Sequence, residues 1–268
     1  MKATAGFIEV NQKVGEIGGQ VGQTPQGWNP GIFSMIRTLS ETVILPVAGM
    51  ILTFVLVYEL IHMIMEKNNM HEFDTFNIFK WIFKTFIAIY IMTNTFNIVM
   101  AVFDVSQHVV SRSAGVISDQ TAIDISSVTA SMRVQLEAMG TGELLGLYFE
   151  SMFVSLTIWA LTLCIFIIVF GRMIEIYLVT SVAPIPFATM VNREWGQIGN
   201  NYLKSLFALG FQGFLIMVCV GIYAVLVQTI SFGDNIHSAI WSCLGYTVLL
   251  CFALFKTGTL AKSIFSAH

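Results

Sequence analysis

Few side chains in this chain have the type and spacing for chemistry, and most of those stand inside long apolar runs. Glu59 and His62 lie three residues apart, so a helix sets them on one face. An acid and an imidazole placed this way in hydrocarbon could relay a proton or an ion. A buried charge there is expensive unless it is paired or wetted. Lys84 offers the competing, structural reading. Counted at about 1.5 Å per residue from the ends of their apolar runs, Glu59 and Lys84 fall roughly 8–9 Å from the same membrane face. That placement suits an ion pair or snorkelling, and it is the reading preferred here. His62 lacks the second histidine or acid that would complete a metal site. Arg172 and Glu175 repeat the spacing and are expected to pair within one helix. Asn94 and Asn97, beside Thr93 and Thr95, are expected to hydrogen-bond between helices, with contact to a translocated substrate as the lesser reading. Cys164, Cys219, Cys243 and Cys251 all lie in apolar segments and read as small hydrophobes. No phosphate-binding loop, HExxH, G-x-S-x-G, CxxC pair or dinucleotide fingerprint occurs. The expectation is a non-enzymatic protein with no cofactor and no metal.

The elements that must position these residues are membrane spans. Of the 268 residues, 56% are hydrophobic and 11% charged, and the mean hydropathy is +0.76. Ordinary globular domains carry about a quarter charged residues, so this chain cannot cover a water-facing surface. The composition predicts an all-α polytopic helical bundle. The net charge of −3 makes the whole chain a poor electrostatic match for nucleic acid. The apolar patch after Lys2 is too short for a signal-peptide core, so the first span is expected to act as the insertion signal.

Residues 1–29 are polar and rich in Gly and Gln. Asn29-Pro30 is a helix start, with Asn29 able to cap and Pro30 in the first turn. Ile32, Phe33, Ile36 and Leu39 then recur at helical spacing, which predicts an amphipathic interfacial helix over 30–42; a frayed lead-in is the alternative. Spans one and two occupy 43–103, roughly 43–65 and 80–103. Residues 104–147 form a long polar outer connection with helical stretches. An apolar run over 148–191 follows, broken near its end by Pro184 and Pro186. Residues 192–204 form an elbow carrying Arg193 and Trp195, spans four and five fill 205–260, and 261–268 is a tail. No internal repeat stands out, which weakens a transporter built on inverted repeats.

Basic residues orient the chain, because Lys and Arg favour the cytoplasm. A five-span arrangement with the N-terminus outside and the C-terminus inside puts eight of them inside and five outside. The run over 148–191 is then one overlong span with a cytoplasmic extension, and Arg172 and Glu175 sit near its exit. A six-span alternative folds that run at Gly171-Arg172. It strands Arg193 and Lys204 outside and moves the uncharged turn at 231–237 inside, against the bias.

The order of features carries a resemblance. PVAGMILTFVLVYELIHMI in the first span and FKWIFKTFIAIYIMTNTFNIV in the second precede a polar connection. The third run ends in SVAPIPFATMVNREWGQIGNNYLKSLFALGFQGFLI. This resembles the TrbL-like polytopic membrane subunit of conjugative type IV secretion systems, in the branch found on mobile elements of Gram-positive bacteria. The most specific piece is Ala183-Pro184-Ile185-Pro186 followed by Arg193, Trp195 and a further span. The resemblance implies a five-span, N-out and C-in subunit of the plasma membrane that oligomerises around the substrate path. It implies partners: membrane lipid, an assembly ATPase, a coupling ATPase, other secretion subunits and transient contact with transferred DNA. Asp104, Asp119, Asp124, Glu137 and Glu143 outnumber Arg112 and Arg133 in the outer connection, which disfavours strong DNA gripping there. A small-solute or ion transporter using Glu59, His62 and Arg172 is the alternative from another class. The Pro184–Trp195 elbow is the expected contact with the ATPases.

Overall fold

The computed structural model describes residues 17, 19–66, 75–120, 130, 133–134, 136–230 and 236–267. Among the described residues the chain is helical and has no strand. Five helices are long and apolar enough to cross a membrane: Pro30–Met65, Phe76–Thr93, Thr141–Ser181, Gly196–Gln228 and His237–Ile264. Large apolar side chains such as Met50, Phe83, Phe86 and Trp159 are exposed on them, an arrangement that only a lipid-facing surface or a further subunit tolerates.

The local sequence explains the breaks. Helix α1 (Pro25–Trp28) starts on Thr24, whose Oγ1 accepts from Gly27 N. Helix α2 (Pro30–Leu39) starts on Asn29, whose Oδ1 accepts from Ile32 N at 3.0 Å. A single π-helical turn over Ser40–Ile44 leads straight into α3 (Leu45–Glu66). Pro46 accounts for that widening: it has no N–H for the carbonyl four residues back, and its ring crowds that position. The amphipathic helix is thus continuous with the first span. Its apolar face is covered by protein, with Ile36 buried against Phe96 and Tyr177.

Helix α4 (Thr75–Thr93) ends where Thr93, Asn94 and Thr95 compete for backbone acceptors. Thr93 Oγ1 takes the Ile89 carbonyl, Asn94 Nδ2 that of Tyr90, and Thr95 Oγ1 those of Ile91 and Met92, all within 3.0 Å. The second span therefore stops short of the expected residue 103. Helix α5 (Thr95–Gln120) runs on into what the sequence reads as the polar connection. Helix α6 (Thr141–Ser181) is unbroken for 41 residues, about 60 Å at 1.5 Å per residue. It passes through Gly171 and Arg172 without a turn, so the six-span alternative falls away. The short helix α7 (Pro184–Thr189) follows, then α8 (Gly196–Gln228) and α9 (Ile236–Ile264). Helix α8 begins nine residues before the expected 205, so much of the expected elbow is helical.

The chain divides into two compact units. Unit one takes the described parts of Met1–Gln23, Ser106–Arg172 and Phe211–Ala261. Its core holds Val110, Leu161, Ile216 and Leu254, together with Ile17 and Val21 from the segment read as polar. Both are almost fully buried, worth about 1.5–3 kcal/mol each relative to water. Unit two takes Thr24–Val105, Met173–Gly210 and Lys262–His268. Its cores gather Val99, Ile176 and Leu206 in one cluster and Ala48, Leu52, Ala88 and Ala188 in another.

Candidate functional site

The elbow is built from the end of α6 onward. Proline in the first turn of α7 has no helical acceptor to satisfy, so Pro184 can start a helix but not continue α6. After Thr189 the chain turns on Asn192, whose Oδ1 accepts from Glu194 N at 2.7 Å and Trp195 N at 3.2 Å. Asn192 itself is buried. Gly199 lets the start of α8 pass close by: a Cβ there would lie 2.6 Å from the Pro186 carbonyl oxygen.

Helix α3 supplies the facing wall. Phe54 and Tyr58, one turn apart, form a rack on which Trp195 stacks, with centroids at 5.7 and 5.3 Å and near-parallel planes. Such aromatic pairs contribute about 0.5–1.5 kcal/mol each beyond their buried area. Tyr58 Oη donates to Glu194 Oε2 at 3.2 Å. From α4, Trp81 Nε1 donates to the Leu56 carbonyl at 3.3 Å, and Lys84 Nζ meets Glu59 Oε1 in an ion pair. The other Glu59 oxygen is buried and accepts no hydrogen bond from the described residues. Lys80 lies over the Phe76 ring at 4.4 Å.

Together these groups bound a polar cleft of about 580 Å³ within unit two. Its walls carry Lys80, Lys84 and Arg193 against Glu59 and Glu194, with His62, Asn77 and Asn192 between them. Four of the residues singled out in the sequence, Glu59, His62, Lys84 and Arg193, line one cleft, and Trp195 braces it. Tyr58, Trp81 and Glu194 carry no signal of their own in the sequence, because their roles come from which helices pack together.

The remaining sequence candidates stand elsewhere. Glu175 accepts from Lys262 Nζ at 2.9 Å, in place of the expected partner Arg172. Arg172 is buried in unit one, where Nη1 donates to the Val21 carbonyl at 3.3 Å. Gly213 makes room for it: a Cβ there would fall 2.8–3.0 Å from the guanidinium. Gln107 Nε2 donates to the neighbouring Gly22 carbonyl. Two side chains thus hold the N-terminal segment by its backbone. Asn94 bonds within its own turn rather than across to a neighbouring helix, and Asn97 is exposed. Among the described residues no group of histidines, cysteines and acids could hold a metal ion.

Five helices long and apolar enough to cross a membrane, with a Pro-broken elbow after the third, define a class, that of polytopic helical membrane proteins. The chain matches the family described as TrbL/VirB6 plasmid conjugal transfer like protein over residues 10–184, more than half its length, and it belongs to that family. It is therefore a conjugal-transfer component of the type IV secretion kind. No curated protein and no solved structure matches it.

Proposed function

We propose that this chain is a non-enzymatic plasma-membrane subunit that oligomerises to form or scaffold the path by which a conjugative type IV secretion system moves DNA or protein. The match to the conjugal-transfer family carries this reading. Oligomerisation draws support from the exposed stripe on α6, where Phe149, Leu156, Trp159 and Leu163 recur at helical spacing. Asn97, exposed on α5, is a polar group that a neighbouring copy would satisfy. The basic-residue bias supports an outside N-terminus and an inside C-terminus. In that orientation the elbow of Pro184, Pro186, Arg193 and Trp195 faces the cytoplasm, where the assembly and coupling ATPases would meet it. A solute transporter is not favoured: Glu59 is matched by Lys84, and Arg172 is committed to the Val21 backbone.

Mating tests the reading. In a strain lacking this chain, plasmid-borne Arg193→Ala with Trp195→Ala should lower transfer at least about tenfold while the protein stays at wild-type level in the membrane. Crosslinks from transferred DNA to single cysteines placed in 104–147 identify a conduit, and their absence with transfer lost identifies a scaffold. Transfer equal to wild type in the deletion strain itself would overturn the proposal.

A further inference from the structure

We infer that the elbow cleft of unit two is a binding site for the phosphodiester headgroup of an anionic glycerophospholipid. Three features converge on this ligand. The first is charge left over after internal pairing. Lys84 is matched by Glu59, and Glu194 is held by the neutral Tyr58 hydroxyl. Lys80 and Arg193 line the same cleft and are exposed, and among the described residues neither forms an ion pair; the Lys80 ammonium rests on the Phe76 ring. Among the described residues, three cations against two acids leave the cleft a surplus of one positive charge, which suits a singly charged phosphodiester.

The second feature is depth. Lys80 lies four residues inside the span that begins at Phe76, and Glu59 six residues before the span end at Met65. At about 1.5 Å per residue both stand roughly 6–9 Å from the helix ends. That is the level at which headgroups and interfacial aromatics meet, and by the same count Tyr58, at the outer end of the Trp195 stack, lies just below it at about 10 Å. The third feature is the neighbouring surface. Phe79 and Phe83 flank Lys80 on α4 and are exposed, so acyl chains attached to the phosphate have an apolar wall to follow. A volume of about 580 Å³ suits one headgroup. It does not suit a polynucleotide, which needs a continuous cationic track; here two acids interrupt the cations.

The site stands independently of the secretion reading, because the test uses the purified full chain with no other subunit present. Native mass spectrometry in detergent would count lipid adducts with phosphatidylglycerol, phosphatidylcholine, inorganic phosphate or a single-stranded oligonucleotide as the probe. Wild type should retain phosphatidylglycerol in preference to phosphatidylcholine. The Lys80→Ala, Arg193→Ala double variant should bind phosphatidylglycerol about thirtyfold more weakly, given about 1 kcal/mol per basic residue at a lipid surface. Lys80→Arg with Arg193→Lys should retain it, which separates lost charge from lost fold. Equal retention of the two lipids overturns the inference, as does the same loss in an Arg112→Ala, Lys256→Ala control. Displacement of the lipid by millimolar inorganic phosphate assigns the site to free phosphate. Oligonucleotide binding that depends on Lys80 and Arg193, with lipid retention unchanged, assigns it to nucleic acid.

Discussion

Arg172 illustrates how one residue can be conspicuous in a sequence and still be misread. Its spacing to Glu175 suggests a pair on one helix, yet its guanidinium turns to the carbonyl of Val21, and Glu175 turns to Lys262. Nothing local could have announced this, since the acceptor is a backbone oxygen some 150 residues away and the space is provided by Gly213. A buried donor removed from a backbone acceptor costs about 1–3 kcal/mol. Arg172→Met should therefore lower the thermal midpoint in detergent by about 2–10 °C, read by tryptophan fluorescence. Gly213→Val, which drives a side chain into the guanidinium, should do at least as much. A midpoint equal to wild type for both would mean that Arg172 does not hold the N-terminal segment.

At the level of elements, composition and proline placement were enough to read most of the helices. The five candidate spans follow from runs of apolar residues, and the break after α6 from Pro184 and Pro186. The equal depths of Glu59 and Lys84 can be counted from the ends of their helices. What could not be read was tertiary. The polar character of 104–120 suggests a connection, whereas packing of Val110 into the unit-one core carries α5 on to Gln120. Ile17 and Val21 are two apolar residues in a polar stretch, too few to give a periodic signal. The elbow depends on close approach, and Gly199 marks where it is tightest. Gly199→Val should separate α8 from the Pro186 carbonyl and weaken the Trp195 stack. The expected readout is faster trypsin cleavage after Arg193 in detergent, with the same yield of membrane-inserted protein. Unchanged cleavage would show that the elbow does not need the contact.

For the whole molecule, the proposed orientation is open to direct measurement on cells. With Cys164, Cys219, Cys243 and Cys251 replaced by alanine, a cysteine at Gln26 should react with an impermeant maleimide on intact cells. A cysteine at Ala267 should react only after the membrane is opened. The reverse pattern would invert the topology and place the elbow outside, away from any cytoplasmic ATPase. Lipid-exposed faces rich in Phe, Met and Ile are long enough here that lipid or further copies must cover them. The fourth span is more than half buried and the second is largely exposed, so the second offers the larger free surface to neighbours.

The grip of Gln107 and Arg172 on the backbone of Val21 and Gly22 also sets an order of manufacture. Roughly 190 residues separate Val21 from Gly213, and translation at about 5–20 residues per second places roughly 10–40 s between them. During that interval the groove for Ile17 and Val21 is incomplete, because the residues of the fourth and fifth spans that share their core do not yet exist. The segment carrying Ile17 and Val21 is therefore among the last to settle, and unit one closes only after its parts of the fourth and fifth spans have been made.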